Sequence, residues 1–410
     1  MKRTLLLLIM VLLAIEGWAQ LTVVSGTVVD AETREPIAGA SVTMGSVAVV
    51  TNDDGFFTLK SSERGEIVVS HLGYGSQRIV VDAQPSKPLT IALKVAPIRL
   101  QEVLVMAGDA RELVLSAIGR ISVNYPRKAE FYHCFYREKV MKRQSYISVA
   151  EGVIDMYKTG YSRSIGRDRT AIRKGRRLLS PRRGDTLTVK VMGGPNYAVL
   201  LDVVKNDEFL LNPEELDLYE LKMEPPTTLA DRRQYVVSLT PRVTTETALY
   251  FGRLYIDQET LAFTRTELEL DMRDRQKAAR VMLVKKPLGL RFRPKELSLI
   301  VDYRMGDDGL TRLSYLRTTM RFNCDWRRRL FATSFDAFCE MAVTNITADE
   351  DVQPIKGRDS FDQRDAFYDK VDYFRDPAFW QDYNIIEPTE SLDKAIDRLL
   401  KRHGKKNLPV

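Results

Sequence analysis

The chain has 410 residues, of which 44% are hydrophobic and 29% are charged. This length allows two or three domains, and so much hydrophobic content excludes a disordered chain as the default. The 62 basic and 55 acidic side chains give a net charge of +7, a mixed surface that does not by itself indicate nucleic-acid binding.

Residues 1–19 have the pattern of a secretory signal peptide. Lys2 and Arg3 precede an apolar run from Leu5 to Ile15, and small residues follow, so cleavage is expected before Gln20. The run is shorter than the ~20 residues that a membrane-spanning helix needs. No cysteine follows it, which argues against a lipoprotein anchor. We therefore expect an exported protein with no transmembrane helix in its mature chain and no nucleic-acid partner.

Residues 20–95 alternate short β-rich pieces with turn residues. Val24 to Asp30 has β-branched side chains with period two, and Asn52 to Gly55 reads as a turn in which Gly55 can adopt positive φ. A calcium loop is the alternative for this acidic turn, but its spaced ligands and distal glutamate are missing. Several short strands separated by turns predict a small β-sandwich.

The same stretch resembles the carboxypeptidase regulatory-like domain, a family with a transthyretin-like (prealbumin-like) β-sandwich. The resemblance covers about Leu21 to Leu93. In that family the module is an accessory domain, found beside some zinc carboxypeptidases and at the N-terminus of many TonB-dependent outer-membrane transporters. The resemblance thus implies a Gram-negative envelope protein in the periplasm or at the outer membrane, and it implies no activity. The motifs that carry it are Gly26-x-Val28-x-Asp30, Pro36-x-x-Gly39-Ala40-x-Val42, Thr51-x-Asp53-x-Gly55-x-Phe57 and Ser70-x-x-Gly73-Tyr74.

Residues 96–128 are predicted to be a linker strand followed by a helix. Pro97 to Met106 resembles the stretch that follows this module in TonB-dependent transporters, where a TonB box pairs with TonB by strand addition. The favoured alternative is a strand that pairs within the fold, because no transporter barrel follows. Asp109 is the expected N-cap of a helix that packs on the following sheet. Its apolar stripe consists of Leu113, Ala117, Ile118 and Ile121.

Residues 129–345 read as long antiparallel strands with one mostly apolar and one mostly polar face. Such strands are expected to form a sheet that curls around a helix or a ligand. The fold class is therefore predicted to be mainly β, with the sandwich followed by a large, curved, half-barrel-like antiparallel sheet and a few helices. The strands are predicted near residues 131–138, 144–158, 187–191, 234–239, 249–256, 261–271, 278–285, 296–303, 315–322 and 330–343.

Tyr250 to Leu270 resembles the hairpin in the half-barrel of the LolA-like periplasmic lipoprotein carriers. That family binds acyl chains on an apolar face, so the resemblance implies an apolar-ligand site. An ordinary packed β core is the alternative. An outer-membrane barrel is disfavoured, because the connections are long and charged. The candidate lining residues are Met320, Phe322, Phe331, Phe335 and Met341.

Residues 163–183 are predicted to be a basic loop, in which only Asp168 opposes the positive charges. The density of arginine suits contact with anionic lipid headgroups, lipopolysaccharide or acidic glycans, and a solvated charge run is the alternative. Glutamates at positions 173, 174, 176 and 177 are expected to weaken association with anionic vesicles at low salt. The candidate binding residues are Arg167, Arg169, Arg173, Lys174, Arg176, Arg177, Arg182 and Arg183.

Residues 346–410 are acidic and aromatic and end in a helix that Thr389 or Ser391 could cap. The aromatic side chains are expected to pack on the preceding sheet, and a carbohydrate-binding platform is the alternative.

Motifs that carry catalysis are missing. The three histidines do not form H-x-x-E or H-E-x-x-H, no G-x-S-x-G elbow occurs, and Gly193-Gly194-Pro195 lacks the residues of a phosphate loop. Glu267 and Glu269 share a strand face, as many solvent-facing pairs do. Cys134, Cys324 and Cys339 are too few for a disulfide framework and are expected to be buried thiols. We therefore expect no enzyme, no cofactor and no metal.

The sequence thus predicts an exported, non-catalytic envelope protein whose regulatory-like module is an accessory binding or scaffolding domain. Its expected partner is an envelope protein or an anionic lipid or glycan surface. One alternative is a periplasmic carrier of a lipid or other apolar ligand, and another is a glycan-acting hydrolase. A filled sheet would favour the first function, an open apolar cavity the second, and a cleft with two facing carboxylates the third.

Overall fold

The structure is a computed structural model that describes residues 21–81, 87–96, 109–182, 193–283, 288–326, 332–348, 352–373 and 378–404. The predicted signal peptide, the predicted linker strand from Pro97 to Met106 and the predicted strand near residues 187–191 lie outside the described residues.

The N-terminal part is a β-sandwich, as predicted. Its strands form two sheets in the orders β4-β1-β7 and β3-β2-β5-β6. Side chains such as Val28, Phe57 and Ile67 are fully buried between the sheets. Because this core excludes water from both sheets, it holds the sandwich together. The strands are β1 (Thr22–Asp30), β2 (Ser41–Met44), β3 (Val47–Val50), β4 (Phe56–Ser61), β5 (Gly65–Ser70), β6 (Gln77–Val81) and β7 (Leu89–Leu93).

The acidic segment before β4 is a tight turn, as predicted, but it leads from β3 in one sheet to β4 in the other and is not a hairpin turn. The Gly55 N–H donates to the Asn52 carbonyl at 2.9 Å, and Gly55 has a φ of 74°. The Asn52 Oδ1 accepts from the N–H groups of Asp54 and Phe56, each at 2.9 Å. An asparagine that bonds its own following backbone in this way stabilises a tight turn.

The rest of the chain builds one large antiparallel sheet that is curved and not closed into a barrel. Its order is β11-β12-β13-β14-β15-β16-β17-β8-β9-β10-β18. This architecture confirms the predicted fold class. The strands are β8 (Glu130–Lys142), β9 (Ser145–Lys158), β10 (Arg169–Leu179), β11 (Tyr219–Leu229), β12 (Arg232–Pro241), β13 (Tyr250–Asp257), β14 (Phe263–Leu270), β15 (Leu290–Met305), β16 (Thr311–Trp326), β17 (Thr333–Thr347) and β18 (Asp372–Tyr373).

Helices within the described ranges lie between and after these strands. As predicted, Asp109 caps the first of them by accepting from the Arg111 N–H at 2.8 Å, and Val114 and Ala117 are buried. They are α1 (Ala110–Gly119), α2 (Ile121–Asn124), α3 (Gly194–Leu200), α4 (Pro213–Leu216), α5 (Arg275–Met282) and α6 (Glu390–Gly404).

The two faces of the large sheet carry different kinds of side chain. The inner face carries Tyr136, Met341 and Leu268, and the outer face carries Arg137, Glu340 and Glu267. On the inner face the main hydrophobic core includes residues of α1, of α3 and of the segments 201–216 and 361–371. The chain therefore fills much of its inner face with its own residues.

A glycine on β9 leaves room for part of the segment that packs on the inner face. A Cβ on Gly152 would lie 2.7 Å from Cζ of Phe367. Phe367 is fully buried and makes an edge-to-face contact with Tyr136, with 5.1 Å between the ring centroids. Glycine is thus the residue that lets the 361–371 segment lie close to the strand.

Two sequence predictions are wrong. The segment predicted as a strand at 278–285 contains α5, because Asp274 caps a helix whose Ala278 packs against Leu270 and Leu297. The predicted basic loop at 163–183 contains β10, whose residues pair with β9 over its whole length. Backbone pairing with a neighbouring strand outweighed the local charge density there.

Candidate functional site

Charged side chains form a row across the outer face. Positive and negative side chains alternate from strand to strand at paired positions, and Ile300 is the one uncharged residue among them. Opposite charges directly across from each other favour sheet pairing. We call this set the charge row; from β13 to β18 it consists of Arg253, Glu267, Ile300, Arg317, Glu340, Arg137, Glu151, Arg176 and Asp372.

Arg137 lies near the middle of the row and is 2% exposed. Its guanidinium donates to Glu151 at 2.8 Å, to Glu340 at 3.2 Å and to the backbone carbonyl of Ile386 at 2.6 Å. Burial alone would raise the pKa of Glu151, but the nearby guanidinium groups of Arg137 and Arg176 lower it below its ordinary value. A buried arginine with this many partners is stable only while all of them stay in place.

The acidic turn of the sandwich packs against the row. Asp53 accepts from Arg317 at 2.6 Å, and its carboxylate lies 3.7 Å from the Lys139 ammonium. Asn52 donates to the Pro388 carbonyl at 2.9 Å, and Asp54 accepts from the Glu390 N–H at 2.7 Å. Each of the three side chains therefore joins the sandwich to another part of the chain, namely the sheet, the tail and the start of α6.

The aromatic tail packs on the sheet, as predicted, and its part around Trp380 lies on the outer face. The Trp380 indole donates to Glu151 at 3.2 Å, and its ring meets Phe135 edge to face at 5.6 Å. Arg176 lies 5.0 Å from the centre of the same ring, and Lys174 donates to the Phe379 carbonyl at 2.7 Å. The tail thus uses both a hydrophobic contact and the charges of the row.

The other end of the row is open and lines a groove. Two adjoining cavities of about 600 Å³ and about 500 Å³ share Thr240, Phe251 and Glu269. Phe251 is 38% exposed there. We call this region the outer groove. The sequence does not predict this groove, although Glu267 and Glu269 share a strand face.

The residues predicted to bind an anionic partner do not form one surface. Lys174 and Arg176 face outward towards the tail, whereas Arg177 faces inward and donates to the Tyr368 carbonyl. Arg183 lies outside the described residues. The exposed members of the set are Arg167, Arg169, Arg173 and Arg182.

The predicted apolar lining is divided as well. Met320, Phe322 and Phe335 share one cluster, in which Phe322 and Phe335 stack with 5.6 Å between centroids. Met341 lies in the main core and is 1% exposed. Phe331 lies outside the described residues.

The predicted carboxylate pair lies on the outer face. Glu267 accepts from Arg265 at 2.7 Å and from the Tyr255 hydroxyl at 2.9 Å, whereas Glu269 is exposed. In the described part of the chain, no group of histidine, cysteine and carboxylate side chains is arranged to hold a metal ion. The three cysteines are buried and unpaired, as expected.

A second buried ionic cluster lies on the inner side and was also missed. Lys158 donates to Asp202 at 2.6 Å, and Lys205 donates to Asp168 at 2.6 Å. Asp202 also accepts from the Tyr303 hydroxyl at 2.8 Å. The two ion pairs attach the segment that follows α3 to the sheet.

Within the described ranges, no helix is both long enough and apolar enough to cross a membrane.

Comparison with known proteins identifies the N-terminal module. Residues 24–105 match the family model of the CarboxypepD_reg-like domain, which confirms the resemblance derived from the turn motifs. No curated protein matches the chain.

Three solved structures are similar to part of the chain. A DUF1329 family protein from Desulfovibrio piger has 9% identity and a TM-score of 0.26, over 60% of this chain and 96% of its own. A LolA superfamily protein from Nitrosomonas europaea has 12% identity and a TM-score of 0.18, over 58% and 95%. A Bacteroides fragilis protein of unknown function has 10% identity and a TM-score of 0.15, over 80% and 98%. Likeness at these TM-scores is too low to establish a shared fold or function.

Proposed function

We propose, from the CarboxypepD_reg-like module at residues 24–105, that this is an exported, non-catalytic binding or scaffolding protein of the cell envelope. In this proposal the module is an accessory domain that is held on the outer face of the sheet. The protein acts in the periplasm or at the outer membrane and recognises another envelope component.

The filled inner face is the observation that carries this proposal. A carrier of acyl chains needs an empty apolar cavity on one face of its sheet. Here α1, α3 and the 361–371 segment pack against that face, and Phe367 and Leu316 have no exposed surface. The sheet therefore has a core of its own residues over much of the face that an acyl chain would need.

The carrier of an apolar ligand remains the second candidate. The aromatic cluster of Met320, Phe322 and Phe335 lies on the inner face but is separate from the main core. A ligand held by this protein would have to contact that cluster.

Native mass spectrometry of the mature chain, purified from its own envelope, tests the proposal. Anything bound would be recovered by organic extraction. A mass equal to the chain alone, or to an assembly of protein chains, is the expected result. A retained lipid or acyl species would overturn the proposal in favour of the carrier.

A further inference from the structure

We propose that the outer groove is a docking site for an extended polypeptide segment that carries an aromatic side chain. This inference rests on the proposed binding function and names the kind of partner. It concerns the open end of the charge row, around Phe251, Arg253, Glu267 and Glu269.

The groove offers groups that are not used within the fold. Among the described residues, the side chains of Arg253, Glu269 and Lys295 have no hydrogen-bond or ion-pair partner. Phe251 and Glu269 are paired positions on β13 and β14, and Arg253 is paired with Glu267 beside them. One exposed aromatic ring thus lies next to a free guanidinium group and a free carboxylate.

The covered end of the same row shows what such a surface binds. There the tail runs across the sheet and the Ile386 carbonyl accepts from Arg137 at 2.6 Å. The Trp380 indole donates to Glu151 at 3.2 Å, while its ring contacts Phe135. An arginine holds a backbone carbonyl, a glutamate holds a side-chain N–H, and an aromatic ring on the sheet receives an aromatic side chain.

The outer groove repeats these three groups, and no described residue of the tail lines it. Arg253 corresponds to Arg137, Glu267 or Glu269 to Glu151, and Phe251 to Phe135. A polypeptide backbone alternates donors and acceptors, so it can satisfy both signs of charge at once. Phe251 can add an aromatic contact of the kind that gives interfaces much of their affinity.

The signs of charge disfavour an anionic surface as the occupant. The groove is lined by Glu267, Glu269, Asp271 and Glu296 along with Arg253, Arg273 and Lys295, so acidic groups are at least as many as basic ones. A lipid headgroup layer or an acidic glycan would meet these carboxylates within the site. Like charges brought together in this way oppose binding.

The test uses the full mature chain and a synthetic peptide with the sequence of residues 378–389, AFWQDYNIIEPT. The chain's own copy occupies the covered end at a high effective concentration, so the free peptide reports on the outer groove. Titration followed by calorimetry is expected to show weak saturable binding. Phe251→Ala and Arg253→Glu should each weaken it at least fivefold, and a peptide with alanine in place of its tryptophan should bind correspondingly less.

Val80→Ser is the matched control, because Val80 is also exposed, at 83%, but lies on the sandwich. It should leave peptide binding unchanged, and unfolding curves should show that all variants fold. If a variant unfolds, Glu269→Gln takes its place.

The proposed docking site would be overturned if the peptide bound Phe251→Ala as tightly as the wild type, or if it did not bind the wild type at all. So would binding of tetragalacturonate, an acidic oligosaccharide, or of phosphatidylglycerol vesicles that the same substitutions abolish. If the peptide does not bind and the purified protein carries no lipid, only the docking site is overturned and the proposed function is not. If the purified protein retains a lipid, the proposed function is overturned whatever the peptide does.

Discussion

Glu138 is a carboxyl group buried in the inner face of the sheet. It is 5% exposed and its one described hydrogen bond comes from the Tyr136 hydroxyl, at 2.6 Å. Burial raises the pKa of Glu138 to about 7. Removing a carboxylate from water is costly when no cation compensates, so burial favours the neutral acid in the folded protein.

Glu138 makes stability depend on pH in a defined direction. Because its pKa is higher in the folded state than in the unfolded chain, its contribution is complete below the unfolded pKa. That contribution is lost as pH rises through about 7. We expect Glu138→Gln to match the wild type at pH 5 and to be more stable by about 2–4 kcal/mol at pH 9. Urea unfolding at the two pH values measures this, and a variant that loses stability equally at both would contradict it.

Buried and exposed arginines of this chain should differ greatly in how much they stabilise the folded state. We expect Arg137→Met to lower the free energy of unfolding by about 3–5 kcal/mol, because it leaves Glu151 and Glu340 buried without their main cation. Arg173→Met removes an ion pair of similar length, 2.8 Å to Asp155, from a side chain that is 44% exposed. That variant should lose less than about 1 kcal/mol. If denaturant titrations show the same loss of unfolding free energy in both variants, burial of the arginine does not determine how much it stabilises the fold.

At the scale of elements, the contact between β9 and the 361–371 segment depends on the absence of a side chain. We expect Gly152→Ala to cost about 1–3 kcal/mol, since the new methyl group would overlap Phe367 and the tightly packed neighbours cannot move freely. Gly119→Ala is the matched control, because a Cβ there meets no atom within 4 Å and alanine favours the end of α1. Chemical denaturation should show loss in the first variant and none in the second.

At the scale of the whole molecule, the acidic turn is one of the contacts that attach the sandwich, beside the Lys60 ammonium, which donates to the carbonyls of Trp380 and Tyr383. Asp53→Lys would place a third positive charge beside Arg317 and Lys139. We expect the sandwich to detach, so that calorimetry shows two unfolding transitions where the wild type shows one. Glu66→Lys changes the charge of the sandwich equally at an exposed position on β5 and should keep the single transition. A single transition in Asp53→Lys would show that other contacts suffice.

Local patterns were enough to predict much of this architecture. The turn at Asn52 to Gly55, the alternation in β16 and β17 and the aromatic tail all follow from neighbouring residues. The helix α5 was missed because its apolar residues are few and its cap, Asp274, was not recognised. β10 was missed because its charges suggested a loop, and its pairing with β9 is a property of the assembled sheet.

The candidate site could not be derived in the same way. Arg137 and Glu340 are 203 positions apart in the chain, and only the register of β8 against β17 places them side by side. Read within a single strand, each is one polar residue on a face that would be expected to meet water. The outer groove likewise combines residues of β12, β13, β14 and β15, whose relative positions depend on the fold.

The charge row also affects the register in which neighbouring strands pair. A slip of one residue would turn the apolar side chains of a strand to the wrong face, and hydrophobic burial opposes it. A slip of two residues keeps every apolar side chain on its proper face, so burial barely distinguishes it from the native pairing. It would, however, move Arg137 away from Glu151, Glu340 and the Ile386 carbonyl, and it would place either Phe135 or Lys139 opposite the two glutamates in place of the arginine. The row therefore specifies, among alignments that the hydrophobic pattern treats as equal, the one in which the sheet folds.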